Sequence, residues 1–274
     1  MKGKKRWVLA AAGLALLVLF PLAADSGLKT VAYEVVTDEV NTPIRLAVLT
    51  DLHSCAYGEG QAELLEAVAG AAPDGVLLVG DIVDDVLPEE NAWVTLTALT
   101  EAYPCYYVTG NHEWWSGEAE RICADMETLG IAVLRGDCAA MDVKGNGITV
   151  CGVDDPDSGL IERQLEAVGA QVAADGFHVL LAHRPERIDD YLKYPFDLVL
   201  SGHAHGGQWR LPGLINGLYA PHQGLFPPYA GGRYDFEDAV FLVSRGLARE
   251  STKVPRLFNR PELVMVDIVP EASA

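Results

Sequence analysis

Basic residues are scarce in this sequence, and their scarcity limits the partners that the protein can bind. The chain has 20 Lys and Arg against 39 Asp and Glu, so its formal net charge at pH 7 is −19. An acidic surface repels the phosphate backbone of DNA and RNA. We therefore expect no nucleic-acid partner, although bound cations allow an acidic protein to handle anionic substrates.

The sequence also has no C-x-x-C pair, and its cysteine count is odd. The five cysteines are Cys55, Cys105, Cys123, Cys138 and Cys151. This pattern predicts neither a disulfide framework nor a cysteine zinc site. We expect all five to be small buried apolar side chains.

One long apolar run is present, and it lies at the N-terminus. Four basic residues precede an uncharged run at 7–24, namely Lys2, Lys4, Lys5 and Arg6. This pattern predicts that residues 1–24 are a signal anchor or a signal peptide. We favour a retained anchor because Leu22 is large for the position before a cleavage site. The basic flank then stays in the cytoplasm, and the domain is membrane-anchored and extracytoplasmic, or secreted if the segment is cleaved.

No internal repeat or second domain boundary interrupts the rest of the chain, so we predict a connector at 25–42 and one domain at 43–270. Apolar strands alternate with amphipathic helices, which is typical of an α/β fold with buried sheets. Predicted strands are 31–36, 44–50, 75–79, 105–109, 131–134, 177–182, 197–201, 239–244 and 263–269. Predicted helices are 61–71, 89–102, 118–129 and 158–173. A hairpin is predicted at 139–153, with Asn146 and Gly147 in its turn.

Polar residues follow directly after several predicted strands, where α/β folds place their ligands. They are Asp51, His53, Asp81, Asn111, His183, His203 and His205. One such residue alone is weak evidence, because a lone strand histidine is usually a core group. The full set is hard to explain structurally, since buried carboxylates and imidazoles are costly unless they are paired or coordinated. Their mixed oxygen and nitrogen donors suit Mn, Fe or Zn, and the sequence does not choose among these metals.

These motifs resemble the calcineurin-like metallophosphoesterase superfamily. The resemblance rests on Asp51-Leu52-His53, Gly80-Asp81, Gly110-Asn111-His112, His183 and Gly202-His203-Ala204-His205, and it covers roughly residues 44 to 250. The later segments 202–212, 243–246 and 256–262 are similar to its membrane-anchored bacterial branch, which includes the YkuE- and YaeI-like phosphodiesterases. The resemblance implies two packed mixed β-sheets flanked by helices, in a four-layer αββα sandwich after the N-terminal hydrophobic helix.

The resemblance also implies a centre of two divalent metal ions. One ion would take Asp51, His53 and His205, the other would take Asn111, His183 and His203, and Asp81 would bridge both. Such a pair activates a bridging hydroxide for attack on phosphorus. His112 is then expected to be the general acid, with Asp84 holding its ring, although Asp84 is also a candidate helix N-cap.

The expected function is hydrolysis of a phosphodiester, pyrophosphate or phosphomonoester, on a lipid-linked or cell-envelope substrate. One alternative is an activity like that of UDP-2,3-diacylglucosamine pyrophosphatase, which the inferred orientation disfavours. Another is a non-catalytic metal-binding scaffold, which the intact ligand set disfavours. The sequence leaves the oligomeric state open.

Several further residues have two interpretations each. His222 lies either at a substrate cleft or in a surface loop. Trp114 and Trp115 either wall the pocket or pack elsewhere. Arg210 and Arg245 are expected in salt bridges rather than on a phosphate. Glu113 is expected to support the site, and His178 is expected to face away from it.

Overall fold

The computed structural model describes residues 20–172, 176–252 and 254–271. Within these ranges, the strands are β1 (Lys29–Thr37), β2 (Ile44–Leu49), β3 (Gly75–Val79), β4 (Cys105–Val108), β5 (Ala132–Val133), β6 (Asp137–Val143), β7 (Asn146–Gly152), β8 (Phe177–Leu181), β9 (Leu198–Ser201), β10 (Tyr219–Ala220), β11 (Gly224–Leu225), β12 (Gly232–Asp235), β13 (Val240–Val243) and β14 (Glu262–Pro270). The α-helices of the same ranges are α1 (Ala62–Ala71), α2 (Glu90–Thr100), α3 (Asn111–Trp115), α4 (Ala119–Thr128), α5 (Ile161–Gln171) and α6 (Ile188–Tyr191).

The strands form two mixed six-stranded sheets and one short ribbon. The first sheet has the order β1-β14-β2-β3-β4-β5, and the second has the order β12-β13-β9-β8-β7-β6. In the first sheet, β2 to β5 are parallel and β14 runs against β2. In the second sheet, β7, β8, β9 and β13 are parallel, and both edge strands are antiparallel to their neighbours. The ribbon pairs β10 with β11.

The two sheets pack face to face and bury a shared apolar core. Val48 and Val79 of the first sheet pack with Val150 and Leu181 of the second. Outer apolar clusters join the first sheet to α1, α2 and α4, and the second sheet to α5 and α6. The predicted four-layer αββα architecture is confirmed. Each sheet is buried on both faces, which explains why its central strands are continuous apolar runs.

The strand predicted at 31–36 within the connector forms and is longer than expected. β1 lies inside residues 25–42 and pairs in parallel with β14 from Lys29 to Thr37. It is an edge strand with an alternating pattern of burial, so its sequence signal is weaker than that of the central strands. The sheet therefore includes residues that precede position 43.

The predicted β6–β7 hairpin forms, but our choice of turn residues was wrong. Val143 pairs with Asn146, so Lys144 and Gly145 are the two turn residues, with φ values of 53° and 80°. Two positive φ values are the signature of a type I′ turn, and glycine suits the second position. Asn146 is instead a buried strand residue, whose side chain accepts a hydrogen bond from the amide of Asn41 at 2.7 Å.

The expectation that all five cysteines are unpaired was also wrong. Cys138 of β6 and Cys151 of β7 face each other in register and form a disulfide, with Cα atoms 4.0 Å apart. The sequence separation of 13 residues gives no C-x-x-C signal, and only the hairpin register brings the two sulfurs together. Cys55, Cys105 and Cys123 are free and buried, as expected.

Residues 1–19 lie outside the described residues, and with them most of the apolar run and of the anchor or signal peptide predicted at 1–24. Residues 20–23 are helical, and the side chains of Phe20 and Leu22 are exposed. Across the described ranges, no helix combines the length and apolarity that crossing a bilayer requires.

Candidate metal centre

The structure brings the seven predicted ligand residues to one edge of the sandwich. Asp51 and His53 follow β2, Asp81 follows β3, and Asn111 begins α3 just after β4. His183 follows β8, and His203 and His205 follow β9 of the other sheet. All of these strands present their carboxyl ends at this edge, which is where α/β folds hold ligands. The site therefore draws its residues from both sheets.

Most of these residues have a backbone conformation that only tight packing holds in place. Asp51, His53, Asp81, His203 and His205 have positive φ values between 45° and 63°. Such values are uncommon for residues with a side chain and cost energy, so they tend to persist where function requires a fixed side-chain direction.

Two glycines make room for the carboxylate and imidazole groups. A Cβ atom at Gly80 would lie 2.5 Å from the Nδ1 atom of His183, and one at Gly110 would overlap the Asp81 carboxylate. The motif glycines that precede Asp81 and Asn111 are therefore required for close approach of the strand ends.

A first group of possible ligands contains Asp51, His53, Asp81 and His205. Asp51 Oδ1 lies 3.2 Å from His205 Nε2, and His53 Nε2 lies 3.2 Å from the same atom. His53 Nε2 lies 3.6 Å from Asp81 Oδ2. One donor atom from each of these four residues lies within 4.8 Å of the others, which is the spacing that one cation needs.

A second group contains Asp81, His183 and His203. Asn111 precedes His112, whose amide donates a hydrogen bond to Asp81 Oδ1 at 2.8 Å. Asp81 Oδ2 lies 3.1 Å from His183 Nε2. His183 Nδ1 donates a hydrogen bond to the Val79 carbonyl at 2.8 Å, which fixes the ring with Nε2 directed into the site. Asp81 belongs to both groups.

The donor atoms of the site fit bound cations. Asn111 Oδ1 is buried and has no hydrogen-bond partner among the described residues. A buried polar atom without a partner is costly, so this oxygen fits the role of a cation ligand. Carboxylate, amide oxygen and imidazole donors suit Mn, Fe or Zn.

Burial and the mixture of charges shift the pKa values of this site strongly. Burial lowers the pKa of His183, but the charges of Asp81 and Asp51 outweigh it and raise that pKa to about 10. Burial, together with the positive charges of His183 and Arg184, holds the pKa of His203 well below its usual value. Burial also lowers the pKa of His205 to about 4, against the attraction of Asp51. An imidazole with a lowered pKa is neutral at pH 7, which is the form that binds a metal.

His112 and Asp84, the predicted acid and its partner, stand beside the first group. His112 Nδ1 lies 3.1 Å from Asp84 Oδ1 and 2.7 Å from Asp85 Oδ1. The same Asp84 oxygen lies 2.9 Å from His53 Nδ1. Burial lowers the pKa of His112, but the hydrogen bond with Asp84 and the charges of Asp81, Asp84 and Asp85 outweigh it and raise that pKa to about 9.

The alternative interpretation of Asp84 as a helix N-cap was wrong, because the next α-helix begins at Glu90, but its carboxylate does stabilise a turn. Its Oδ2 atom accepts hydrogen bonds from the amides of Val86 and Leu87 at 3.1 and 2.8 Å. These bonds hold the carboxylate in place, so its other oxygen stays directed at the two histidines.

Glu113 supports the site through hydrogen bonds to its loops, as the sequence suggested. It is buried and accepts hydrogen bonds from four backbone amides, which are those of Asp81, Ile82, Val83 and Gly110. These bonds fix the loops that carry Asp81 and Asn111. Burial and the charge of Asp81 raise the pKa of Glu113.

Sequence reasoning missed an arginine beside the second group. Arg184 is buried, and its guanidinium makes a two-point contact with Asp155 at 2.6 and 3.0 Å. Its Nη1 atom lies 2.8 Å from His222 Nδ1 and 3.4 Å from His203 Nε2. The placement of Asp155 just after β7 was an available signal, because the other site residues also follow strand ends.

The ambiguous residues are divided between the site and its surroundings. His222 is at the site, where its Nδ1 atom lies 3.2 Å from His203 Nε2. Trp115 is half exposed and packs on the His112 ring at 4.9 Å, so it forms a wall of the mouth. Trp114 instead donates a hydrogen bond to Thr109.

The remaining residues point away from the ligands. Arg245 forms a salt bridge with Glu262 at 2.8 Å, as expected. His178 is buried, and its Nδ1 atom lies 3.5 Å from Asp197. Neither residue contacts the seven predicted ligands within the part of the chain that the structure describes.

The fold and the site together define an αββα sandwich with a composite His, Asp and Asn centre at its strand ends. The sequence profile described as calcineurin-like phosphoesterase matches residues 44–207, which is more than half of the chain. The chain belongs to the calcineurin-like phosphoesterase family. The resemblance drawn from the motifs is thereby confirmed, and the expected class of metal-dependent phosphoesterase agrees with it.

Individual relatives give the same family. An uncharacterized metallophosphoesterase of Helicobacter pylori is 30% identical over 185 residues, which are 62% of this chain and 47% of that protein. The chain thus spans about half the length of that relative. The phosphodiesterase YaeI of Escherichia coli is 28% identical over 234 residues, which are 83% of this chain and 83% of that protein.

Solved structures support the fold. A dimetal phosphatase from Danio rerio superposes with a TM-score of 0.52 at 13% identity, over 74% of this chain and 88% of that one. At this level of identity, the likeness concerns the fold alone.

Proposed function

We propose that the protein hydrolyses phosphate esters with two divalent cations, and that phosphodiesters are its preferred class. The observation that carries the proposal is the pair of ligand groups that share Asp81. Asp51, His53, Asp81 and His205 would hold one cation, and Asp81, Asn111, His183 and His203 the other. The similarity to a phosphodiesterase supports the choice of phosphodiesters.

The cations would supply an activated water and neutralise the phosphoryl oxygens. The protein's own residues position these parts. Asp84 orients His53 Nε2, the Val79 carbonyl orients His183 Nε2, and Glu113 fixes the loop of Asp81. Arg184 directs Nη1 toward the second group, where a guanidinium can hold a phosphoryl oxygen.

His112 would donate the proton that the leaving oxygen needs. Its ring is fixed through Nδ1 by Asp84 and Asp85, so Nε2 remains to face the substrate. The raised pKa keeps the imidazole protonated at neutral pH, which is the form that a general acid requires.

A substrate at the cell envelope is the finer part of the proposal. A basic flank and an apolar run at the N-terminus support a membrane-anchored protein whose domain lies outside the cytoplasm. The Cys138–Cys151 disulfide is consistent with this location, because disulfides persist in oxidising compartments. A lipid-linked phosphate compound would suit an enzyme held there.

The test uses the purified full chain with Mn²⁺ and bis-p-nitrophenyl phosphate. We expect turnover that requires the metal and is abolished in Asp81→Ala, while the surface variant Asp125→Ala keeps wild-type turnover. A folded Asp81→Ala variant with full turnover would refute the bridging role. Metal binding by the wild type without turnover of mono-, di- or pyrophosphate esters would instead indicate a non-catalytic scaffold.

A further inference from the structure

A basic pocket and an apolar pocket adjoin at one surface, and we call the two together the Arg210 surface. The basic pocket has a volume of about 350 Å³, and its cationic lining residues are Lys29, Arg210, Arg245 and Arg260. The apolar pocket has a volume of about 320 Å³ and includes Trp209, Leu211 and Leu257 in its wall. Arg210 and Phe258 line both pockets, so the two form one continuous surface.

The basic pocket carries excess positive charge in a chain whose net charge is −19. Arg245 pairs with Glu262, and Arg260 pairs with Asp25. Within the described ranges, Lys29 and Arg210 have no salt-bridge partner, so the expected salt bridge of Arg210 was wrong, and Arg210 Nη1 is buried without a hydrogen-bond partner. Burial and the nearby charge of Arg245 lower the pKa of Arg210, which shows that like charges are held together here. An anion in this pocket would relieve their repulsion.

The apolar side of the surface favours an occupant that has apolar groups over a simple inorganic anion. Trp209, Leu211 and Leu214 are 42%, 46% and 86% exposed, and they project from the loop that follows His205. Exposed apolar groups next to basic groups fit a ligand with an anionic head and an apolar tail. Tryptophan is also enriched at the boundary between lipid headgroups and acyl chains.

The N-terminal chain reaches the domain at the same surface. Leu22 lines the basic pocket, and the amide of Phe258 donates a hydrogen bond to the Ala23 carbonyl at 2.6 Å. The sequence outside the described residues at this end, 1–19, contains four basic residues and most of the apolar run. A segment with this composition that starts here would place the Arg210 surface next to the bilayer in which it is held.

We propose that the Arg210 surface docks on a bilayer that contains anionic phospholipid. The basic pocket contacts headgroup phosphates, and the loop with Trp209, Leu211 and Leu214 enters the boundary with the acyl chains. Asn259 Nδ2 donates hydrogen bonds to the carbonyls of His205 and Gln208, so this surface is joined directly to the metal centre. Docking would hold the centre near the membrane, and it does not depend on the proposed phosphoesterase activity.

The test uses the full chain in lipid nanodiscs whose acyl chains carry bromine, which quenches nearby tryptophan. The discs contain phosphatidylcholine alone or with phosphatidylglycerol, and the signal of Trp209 is obtained by comparison with Trp209→Phe. We expect quenching of Trp209 to increase with phosphatidylglycerol. Neutralising two basic residues in Lys29→Gln/Arg210→Gln should weaken docking by about tenfold or more.

A matched control removes two cations from another surface. Arg163 is exposed on α5, and Lys193 is exposed just after α6. The double variant Arg163→Gln/Lys193→Gln should therefore keep wild-type quenching. Thermal unfolding and turnover of a soluble diester verify that each variant is folded. If the double variant does not fold, Lys29→Gln alone is used, because Lys29 is exposed at the start of β1.

Three results would overturn the proposal. Quenching that does not respond to phosphatidylglycerol would show that no anionic headgroup is bound. Equal losses in the two double variants would indicate a general charge effect. Suppression of the signal by soluble glycerol phosphate, to the level seen without phosphatidylglycerol, would show that the pocket takes a free anion rather than a bilayer.

Discussion

Asp84 is the residue on which two functions of the site converge. One of its oxygens contacts His53 at 2.9 Å and His112 at 3.1 Å, while the other accepts two backbone amides. The carboxylate therefore orients a possible metal ligand and the proposed acid at the same time. Asp85 contacts only the second of these histidines.

This difference predicts unequal effects of two matched substitutions. Asp84→Asn should lower kcat by about 100-fold for an ester with a poor leaving group, because the proposed acid loses its partner. It should also weaken metal binding, because a residue that hydrogen-bonds to a metal ligand helps to orient that ligand. Asp85→Asn should lower kcat by less and leave metal binding unchanged. Steady-state kinetics and metal titration measure both effects, and equal losses in the two variants would contradict the assignment.

Proton donation by His112 predicts a decline of kcat at alkaline pH. The pKa of His112 is raised from 6.5 to about 9, so the protonated, active form is lost as pH rises through the folded value. Bound cations would weaken the effect of the carboxylates on the pKa of His112, so the decline in kcat should be centred between pH 6.5 and about 9. With an alkyl phosphodiester as substrate, the pH profile of kcat should show this alkaline decline in the wild type and not in His112→Gln. A decline that persists unchanged in the variant would mean that another group donates the proton to the leaving oxygen.

Arg184 is a second residue whose contribution can be separated. Its contact with phosphoryl oxygen would exist in the bound substrate as well as in the transition state, so its loss should appear mainly in KM. We expect Arg184→Lys to raise KM by about tenfold, because a lysine lacks the two-point geometry that holds Asp155. Arg187→Lys is the control, since Arg187 forms surface salt bridges. A change confined to kcat would indicate a role other than substrate binding.

At the scale of elements, the β6–β7 hairpin is joined twice, by its ladder and by the Cys138–Cys151 disulfide. The link closes a short loop, so its removal in Cys138→Ser/Cys151→Ser should lower stability by about 2 kcal/mol. The melting temperature should fall in the oxidised wild type after reduction and should be insensitive to reductant in the variant. Reduction that leaves the wild-type melting temperature unchanged would contradict this contribution.

Elements whose local signals agree with their tertiary setting could be predicted from the sequence. The central strands β3 and β8 are buried at every position, so β3 is a continuous apolar run and β8 is interrupted only by His178. β1 was understated because half of its side chains face solvent at a sheet edge. The hairpin turn was misplaced because Asn146-Gly147 carries the usual signal, whereas the strand register puts Lys144 and Gly145 in the turn.

The residues of the candidate site likewise divide into those that the sequence predicted and those that it missed. Its seven predicted ligands come just after strand ends, so their positions along the chain, together with the family resemblance, predicted that they share one edge of the sandwich. Asp85 and Arg184 were missed because their roles depend on contacts between distant segments, such as the pairing of Arg184 with Asp155. The disulfide was missed for the same reason, since sequence does not specify strand register.

At the scale of the whole molecule, the site connects the two sheets. Asp51, His53, Asp81 and Asn111 come from the first sheet, and the three remaining histidines come from the second. Asp51 and Asp81 are fully buried, and although the pKa of the nearby His183 is raised, the pKa values of His203 and His205 are lowered, so these two imidazoles do not offset the buried negative charge. Cations bound here would offset the buried carboxylates and join the sheets across their shared edge.

Metal binding should therefore stabilise the entire sandwich cooperatively. A ligand that binds only the native state raises stability by about 2.7 kcal/mol at 100 times its Kd. We expect saturating Mn²⁺ to raise the melting temperature of the chelator-treated protein by several degrees, through a single transition. Asp81→Ala should lose most of this increase because both ligand groups share that carboxylate, whereas the exposed Asp125→Ala should retain it. Differential scanning calorimetry measures the shift, and an equal increase in Asp81→Ala would mean that the stabilising cation binds elsewhere. Two separate transitions in the wild type would mean that the metal stabilises one sheet without joining it to the other.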